Sequence, residues 1–377
     1  MKSKLEELIE KLCPNGVEYR ELEKIITIVS PMKKILSKNI ILQGKYPVID
    51  QGAGYISGYT DDTEALLPDN NYIIFGDHTE IIKYVDFKFA QGADGIKILI
   101  TKDFNCKYLY YCFTNFYEPT GKYTRHWSKA KTTLIPLPPL EIQEEIVRIL
   151  DKFTELTTEL TTELTLRKQQ YEHYRDKLLT FGDEVEWKSL GEIGEVKMCK
   201  RILKEQTTSV GDIPFYKIGT FGKTPDAYIS RNLFDEYKSK YSYPQKGEIL
   251  ISASGTIGRT VIFDGEDSYF QDSNIVWISN NENKVLNKYL FYYYKIIKWA
   301  VAEGGTIKRL YNDMIRKTTI PVPPLEEQKR IIEILDRFDK YINDIKEGLP
   351  AEIEMRQKQY EYYRDKLLDF KKLNVEG

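Results

Sequence analysis

An internal duplication constrains the fold of this chain more than any other feature. "IPLPPLEIQEEIVRILDKF" (Ile135–Phe153) returns 185 residues later as "IPVPPLEEQKRIIEILDRF" (Ile320–Phe338). "RKQQYEHYRDKLLTF" (Arg167–Phe181) returns as "RQKQYEYYRDKLLDF" (Arg356–Phe370), at an offset of 189. This period is far longer than that of a solenoid repeat. The chain therefore reads as two copies of one unit, in which a globular part precedes a long helix.

The two copies are similar in their helical parts and barely similar in their globular parts. Similar helices favour a shared task, such as binding two identical partners, whereas dissimilar globular parts favour two different targets. A gene duplication without functional meaning is the alternative. The predicted segments are an N-terminal helix (1–16), a first globular domain (17–136), a helical spacer (137–183), a second globular domain (184–321) and a second helical spacer (322–372).

Each helical part has a helix start signal followed by the apolar repeat of a coiled-coil helix. Pro138 and Pro139 precede the first helix, because proline is excluded from a helix interior. Apolar residues then recur at steps of three and four, as in a coiled-coil seam. The candidate spacer and partner-binding residues on this seam are Leu156, Leu160, Leu164, Tyr171, Tyr174, Tyr341, Ile345, Tyr360 and Tyr363. Gly348 and Pro350 leave open whether the second helix is continuous. An ordinary amphipathic helix pair inside a compact core is the alternative.

A perfect tandem repeat, "TELTTELTTELT" (Thr154–Thr165), lies within the first helix. Each four-residue unit adds about 6 Å and about 40° of rotation to a helix. Gaining or losing a unit would therefore alter the distance that the helix spans. DNA slippage that the helix merely tolerates is the alternative, and the two explanations are compatible.

The globular parts contain short β-like runs, such as "NNYIIFG" and "GIKILI" in the first and "KGEILISASGTIGRTVIF" and "SNIVWIS" in the second. A helical stretch follows each set, at Lys107–Tyr117 and Lys288–Gly304. The predicted fold class is two α/β (α+β) domains that alternate with long antiparallel coiled-coil helices in a pseudo-twofold repeat.

Each globular part closes with a basic and aromatic loop, "TGKYTRHWSKAK" (Thr120–Lys131) and "GGTIKRLYNDMIRK" (Gly304–Lys317). Arg, Lys, Asn and His side chains reach phosphates and base edges, and glycines such as Gly121, Gly304 and Gly305 permit close backbone approach. A solvated loop with scattered charges is the alternative. The candidate DNA-binding residues are Lys122, Tyr123, Arg125, His126, Lys129, Lys308, Arg309, Tyr311 and Asn312, with Tyr55, Thr256 and Arg259 from glycine-rich loops.

Sequence motifs for catalysis are missing. No phosphate-binding loop, serine nucleophile elbow or amino-methyltransferase tetrapeptide occurs, and three histidines and four cysteines show no metal-ligand spacing. We therefore predict no catalytic residue, no metal site and no cofactor in this chain. The N-terminus is a charged amphipathic helix, and no apolar run reaches membrane-spanning length, so we expect a cytoplasmic protein. The net charge of −2 leaves room for local basic surfaces.

The layout resembles the specificity subunit of a Type I restriction–modification enzyme. The resemblance rests on two globular domains alternating with two helices that open on "IPxPPLExQ" and close on "QxYExYRDKLL". It implies that each globular domain is a target-recognition domain, which reads one half of a bipartite, asymmetric site in double-stranded DNA. It also implies that the helices set the gap between the halves and dock two methyltransferase subunits.

The same resemblance assigns all catalysis to partner subunits. Methyltransferase subunits would supply S-adenosylmethionine and adenine-N6 methylation, and restriction subunits would use ATP and Mg for translocation and cleavage. The N-terminal helix (Lys2–Leu12) would pack near the C-terminal helix and complete a pseudo-twofold, nearly circular arrangement. Two other classes stay open on the residues alone: a coiled-coil scaffold or adaptor with two protein-binding globular ends, and a complete methyltransferase or nuclease.

Overall fold

The computed structural model describes residues 2–92, 95–300, 308–344 and 346–373. The chain divides into two compact units. Unit 1 comprises Met1–Thr161 with Glu352–Gly377, and unit 2 comprises Thr162–Ala351. Each unit therefore combines one globular domain with helical segments from two separate parts of the chain.

The first half of the chain begins with helix α1 (Lys4–Leu12), whose first turn is closed by a capping box between Ser3 and Glu6. Its strands are β1 (Glu18–Glu21), β2 (Thr27–Val29), β3 (Tyr46–Ile49), β4 (Gly58–Thr60), β5 (Tyr72–Gly76), β6 (Ile82–Val85), β7 (Ala90–Gln91), β8 (Ile96–Ile100) and β9 (Leu134–Leu137). Its further helices are α2 (Cys106–Phe116), α3 (Trp127–Ala130) and α4 (Leu140–Leu178).

The second half repeats the order of the strands. Its strands are β10 (Glu186–Ser189), β11 (Glu195–Lys197), β12 (Ile213–Tyr216), β13 (Tyr228–Ile229), β14 (Ile249–Ser252), β15 (Thr260–Ile262), β16 (Tyr269–Phe270), β17 (Ile275–Ser279) and β18 (Thr319–Val322). Its helices are α5 (Leu190–Ile193), α6 (Arg231–Lys240), α7 (Asn287–Tyr294), α8 (Asn312–Lys317), α9 (Leu325–Asn343) and α10 (Leu349–Leu368). The second half adds the helix α6 between β13 and β14.

The two globular domains share one sheet topology, although their sequences barely match. The four-stranded sheets have the orders β2-β8-β5-β6 and β11-β17-β14-β15, and all their pairs are antiparallel. The three-stranded sheets, β4-β3-β7 and β13-β12-β16, each contain one parallel pair. Two-stranded ribbons, β1-β9 and β10-β18, precede the long helices. The duplication predicted from the helices thus extends through both domains, and the predicted α/β class is confirmed.

A buried helix joins each sheet to the helical region of its unit. In unit 1, α2 buries Tyr108, Leu109 and Phe113 in one core with residues of β5 and β8. The same core contains Ile142 and Ile146 from the start of α4. In unit 2, α7 occupies the equivalent place among β14, β17 and α9. The globular domain and the helices of a unit therefore share a continuous hydrophobic core.

The two chain ends meet within unit 1. The Val17 N–H donates to the carbonyl of Lys371 at 2.8 Å, and the Tyr19 hydroxyl donates to the carbonyl of Phe370 at 2.8 Å. Gly16 has a φ of 104°, and a Cβ there would lie 2.4 Å from the Lys371 oxygen, so only glycine fits. Leu5 of α1 lies in one core with Leu368. The expected packing of the N-terminal helix near the C-terminal helix is confirmed.

The helical segments pair in an antiparallel sense within each unit. In unit 2, the rings of Tyr171 and Tyr174 lie 6.4 and 6.0 Å from that of Phe338, and the Tyr341 hydroxyl donates to Glu163 at 3.4 Å. In unit 1, Phe153 of α4 and Tyr363 of α10 stack at 5.3 Å.

The candidate spacer residues differ in burial. Tyr360 and Leu164 are partly buried, whereas Leu156, Tyr174, Tyr341 and Tyr363 stay exposed enough for further contacts. Ile345 lies outside the described residues. None of the helices that the structure describes has the length and apolarity needed to cross a membrane.

The structure answers one question about the helices that the sequence left open, and it corrects one predicted helix. The second spacer is not one helix, because α9 ends at Asn343 and α10 begins at Leu349. A Cβ at Gly348 would lie 2.6 Å from the Tyr341 carbonyl oxygen, and Pro350 occupies the first turn of α10. The helix predicted over Lys288–Gly304 is wrong for residues 295–300, because α7 ends at Tyr294 and the N–H groups of Ile296 and Ile297 both donate to the Tyr293 carbonyl. The rest of that prediction, residues 301–304, lies outside the described residues.

Candidate nucleic-acid interface

Within the first basic loop, residues 120–126 are irregular and Trp127–Ala130 form α3. The irregular part rests on two carboxylates of the turn between β5 and β6. Asp77 Oδ1 accepts the backbone N–H groups of His126 and Trp127, at 2.9 and 2.8 Å. Trp127 begins α3, so this carboxylate accepts N–H groups at a helix start, which have no partner within the helix itself. The end of the loop is therefore fixed by the side chain of a residue 49 positions earlier in the chain.

Glu80 holds the beginning of the same loop. Its carboxylate accepts the N–H groups of Thr120 and Gly121, each at 2.9 Å, and the Tyr117 hydroxyl at 2.6 Å. Burial alone would raise the pKa of Glu80, but these hydrogen bonds outweigh it and lower the pKa to about 2. Gly121 has a φ of 68°, a conformation that glycine adopts without strain. The loop is thus built around an ionised, nearly buried carboxylate.

His126 lies inside the loop, with only 5% of its surface exposed. Its Nε2 donates to the Lys122 carbonyl at 2.7 Å, and its Nδ1 lies 3.3 Å from both Glu80 Oε1 and Thr120 Oγ1. Both ring nitrogens are therefore engaged within the chain. This position removes His126 from the residues available to reach DNA, and its ring instead supports the loop.

The other side chains of the first loop face solvent. Lys122 and Arg125 are exposed, and Tyr123 is 80% exposed. The ring of Tyr123 stacks on that of His78, with centroids 5.3 Å apart. Cationic and aromatic groups held above a rigid turn can contact phosphates and stack on bases.

Arg125 opens onto a polar cleft of about 430 Å³ in unit 1. Residues distant in sequence line this cleft, and Lys34, His78, Gln91 and Lys97 supply most of its polar groups. Lys34 follows β2, and Lys97 belongs to β8. The fold therefore adds two lysines to the basic loop that the sequence had indicated.

The second basic loop contacts the equivalent turn of unit 2. The Leu310 N–H donates to the Ala253 carbonyl at 2.8 Å, and Arg309 forms an isolated β-bridge with Ser254. The guanidinium of Arg309 lies 5.9 Å from the ring of Tyr311, which is exposed at the start of α8. Ala253 and Ser254 directly follow β14, which is the counterpart of β5.

Two arginines of unit 2 converge on the turn between β16 and β17. Arg201 Nε donates to Asp272 Oδ2 at 3.0 Å, and Arg309 Nη2 donates to the Ser273 carbonyl at 3.0 Å. Arg201 follows β11, which corresponds to β2 in unit 1. In unit 1, the corresponding residues Lys34 and Arg125 line one cleft together with Gln91 and Gly95, which lie between the start of β7 and the start of β8.

Lys34 and Arg201 were not among the candidates chosen from the sequence, but a short sequence match marks both of them. "KKIL" (Lys33–Leu36) and "KRIL" (Lys200–Leu203) precede equivalent 3₁₀ turns, and Lys34 corresponds to Arg201. This short match between otherwise dissimilar domains would have identified both. No comparable signal marks Asp77 or Glu80, because their role depends on a contact with a distant loop.

The remaining candidates lie in different places. Tyr55 lies away from the first basic loop, in a separate cleft beside Tyr84 and Tyr110. Thr256 and Arg259 belong to the turn after β14, where Arg259 Nη1 donates to the Phe221 carbonyl at 2.9 Å. Lys129 and Lys308 are exposed, and Lys129 Nζ donates to the Glu118 carbonyl. Asn312 is half-buried at the start of α8. Gly304 and Gly305 lie outside the described residues, and among those described no cluster of His, Cys, Asp and Glu has metal-binding geometry.

A family model described as the Type I restriction modification DNA specificity domain matches the chain twice, over residues 14–167 and 182–355. A putative type I restriction enzyme specificity subunit from Haemophilus influenzae is 50% identical over 96% of this chain and 98% of its own length. The EcoR124I/EcoR124II specificity subunit from Escherichia coli is 36% identical over 97% of both chains.

Two solved structures share the fold. The S subunit of a Type-I restriction-modification system from M. genitalium superposes with a TM-score of 0.57 at 18% identity, over 94% of this chain and 97% of its own. A chain from a study of complex assembly and conformational transition in the type I R-M system gives 0.62 at 16% identity, over 95% and 98%. At these identities the structures support the fold alone.

Proposed function

The chain belongs to the type I restriction enzyme specificity subunit family, and we propose that it is the non-catalytic subunit that selects the DNA sequence for a restriction–modification complex. Each globular domain reads one half of a bipartite, asymmetric target in double-stranded DNA. The long helices set the gap between the halves and dock two methyltransferase subunits.

The observation that supports this proposal best is the shared placement of basic residues on two dissimilar domains. Lys34 with Arg125, and Arg201 with Arg309, occupy equivalent places on sheets of one topology. Contacts to phosphates require the same cationic frame in both domains, because the backbone of DNA is uniform. Contacts to base edges require different side chains, and the loops around this frame differ in sequence.

The helices support the docking of two identical partners. Leu166 of α4 and Met355 of α10 occupy equivalent positions of the repeat and are 58% and 68% exposed. Tyr174 and Tyr363 form a second equivalent pair, also exposed. Large exposed apolar side chains at matched positions fit one partner surface used twice. In this proposal the methyltransferase subunits bring S-adenosylmethionine, and the restriction subunits bring the ATP- and Mg-dependent activity.

The TELT tract supports the proposed role in setting the gap. The tract is helical throughout, because α4 runs from Leu140 to Leu178 without a break. Thr154, Thr158 and Thr161 each donate their hydroxyl to the carbonyl four residues earlier, at 2.8–3.1 Å. These bonds satisfy the threonine hydroxyls inside the helix, so further identical units can be added without changing its chemistry.

Binding and modification assays test the proposed function. The chain assembled with its methyltransferase partners should bind one bipartite duplex sequence, with an affinity that falls steeply as salt rises. Methylation should be confined to that sequence, and the isolated chain should show no methyl transfer. A complex that assembles but methylates without sequence preference would contradict the proposal and favour the adaptor alternative.

A further inference from the structure

A polar clasp joins the first globular domain to its helix. Asp151 of α4 accepts the Tyr111 hydroxyl at 2.6 Å and the Lys107 ammonium at 2.8 Å. Tyr111 and Lys107 lie one helical turn apart on α2, so both reach the same carboxylate. Tyr111 is 4% exposed, whereas Asp151 is half-buried at the edge of the joint.

The second domain carries the same clasp. Asp336 of α9 accepts the Tyr292 hydroxyl at 2.5 Å and the Lys288 ammonium at 2.7 Å. Both donors belong to α7, where they lie one helical turn apart, and Tyr292 is 1% exposed. The donor–acceptor distances of the two clasps agree within 0.1 Å. A charge-assisted hydrogen bond and an ion pair on one carboxylate constrain direction as well as distance.

Buried glutamines hold the other end of each joint. Gln143 Oε1 accepts the Asn105 N–H at 2.9 Å, and Gln143 Nε2 donates to the Pro138 carbonyl at 2.7 Å. Gln328 is arranged in the same way, between the Leu286 N–H and the Pro323 carbonyl, each at 2.8 Å. Two separated attachment points prevent a helix from pivoting, so each joint sets an angle as well as a position.

The two globular domains are dissimilar in sequence, but the segments of α2 and α7 that contact the long helices are similar. "KYLYY" (Lys107–Tyr111) corresponds to "KYLFY" (Lys288–Tyr292), with four of the five residues identical. A requirement for burial alone would be met by many apolar residues in α2 and α7. The retained Lys and Tyr are the two residues that donate to the helix aspartate.

In unit 1 a continuous set of contacts leads from the clasp to the first basic loop. The helix α2 carries Tyr111 in the clasp and ends just before Tyr117. Tyr117 donates to Glu80, which holds Thr120 and Gly121. The 11 residues of α2 span about 16 Å. A tilt of α2 by about 10° around its N-terminal end would therefore displace its C-terminal end, and the loop that follows, by about 3 Å. One base-pair step is about 3.4 Å.

We propose that Asp151 and Asp336 are positioning residues that hold each recognition domain at one angle on its own helix and so restrict the complex to a single gap length. This inference rests on the proposed function. The helix determines which gap is read, and the clasps determine how strictly it is read. A clasp that served only to stabilise its unit would affect all sites equally.

Methylome sequencing of cells that express the full chain with its methyltransferase partners tests the inference. The variants are Asp151→Ala, Asp336→Ala, and Asp151→Asn, which keeps an acceptor for Tyr111. The matched control is Glu144→Gln, an exposed carboxylate on the same helix. Methylation is scored at sites whose half-sequences match the wild-type target and whose gap is equal, one base pair shorter or one base pair longer.

Either alanine variant should leave the half-sequences unchanged and lower the preference for the wild-type gap about tenfold, the effect of losing one charge-assisted contact. Asp151→Asn should fall between wild type and alanine, and Glu144→Gln should match wild type. A uniform loss of methylation with full gap preference would overturn this inference alone, as would an equal effect of the control. Wild-type methylation without a bipartite preference would overturn the proposed function as well.

Discussion

The carboxylate of Glu80 accepts the backbone N–H of Gly121 at 2.9 Å, across 41 residues of sequence. Glu80 itself has a φ of 60°, which is uncommon for a residue with a side chain. This conformation ends a tight turn after β5 and keeps the carboxylate against the loop. A turn of the sheet thereby fixes the loop that presents Lys122, Tyr123 and Arg125.

Replacing Glu80 with Gln should destabilise unit 1 by about 2 kcal/mol, because an amide cannot accept so many N–H donors and part of the loop loses its partners. Because its pKa is lowered to about 2, Glu80 stabilises the folded state fully above its ordinary pKa of 4.5. This stabilisation is lost as the pH falls from 4.5 towards 2. Chemical unfolding measured across this range should show a weaker pH dependence for the variant.

The control for this prediction is Glu118→Gln, which alters an exposed glutamate near the same loop. It should change the free energy of unfolding by less than about 0.5 kcal/mol. A Glu80→Gln variant as stable as this control would show that the hydrogen bonds to the loop contribute little.

Removing Lys34, which follows β2, or Arg201, which follows β11, should weaken DNA binding without changing the preferred DNA sequence. Lys34→Ala and Arg201→Ala should each lower the salt dependence, the slope of log affinity against log salt, by about 1. Fluorescence anisotropy with specific and unrelated duplexes at several salt concentrations measures both quantities. Lys88→Ala, an exposed lysine whose Nζ lies 3.8 Å from Asp69, is the control. An altered target sequence with an unchanged salt slope would contradict the assignment to phosphates.

The buried glutamines should matter for stability. Gln143→Ala and Gln328→Ala each remove a buried side chain that bridges a part-buried N–H and a buried proline carbonyl, and both groups lose a partner. Each variant should lose about 2 kcal/mol, seen in denaturant unfolding. Gln169→Ala, on an exposed face of α4, should be nearly neutral. Equal stability of the buried and exposed variants would contradict this account of the joints.

Matched positions of the helices should each dock one methyltransferase. Leu166→Asp and Met355→Asp place a charge on one of two equivalent exposed positions, so each variant should bind one methyltransferase where wild type binds two. Native mass spectrometry of the reconstituted complexes counts the subunits directly. Leu42→Asp, at a 93% exposed position of the first domain, should still bind two. Two bound subunits in the double variant would show that docking occurs elsewhere.

The duplication made much of the architecture predictable. The helix starts after Pro139, the stretch at Lys107–Tyr117 and the packing of the N-terminal helix followed from repeated motifs, local signals and the family resemblance. The strand order did not, because strands of two to five residues give little periodicity and their pairing depends on distant partners. The helix predicted for residues 295–300 was wrong because an apolar run with aromatic and β-branched residues is compatible with more than one backbone conformation.

The candidate site was only partly predictable, for a similar reason. Exposed residues of the closing loops, such as Lys122 and Arg309, could be chosen from composition and position in the repeat. His126 has the same composition signal but lies inside the loop, and Glu80 has no such signal at all. Residue type indicates what a side chain is able to contact, whereas the fold decides which neighbours it meets.

The most direct test is to map modified adenines in DNA from cells that express the chain with its partners, before and after deletion of Thr158–Thr161. Replacement of the same four residues by a different helix-forming tetrapeptide is the control. Wild type should give one bipartite, asymmetric target, and the deletion should leave both half-sequences intact while shortening the gap by one or two base pairs, since about 6 Å of helix is removed. The control should keep the wild-type gap. Altered half-sequences, or an unchanged gap after the deletion, would contradict an account in which the globular domains read the sequence and the helix sets the distance.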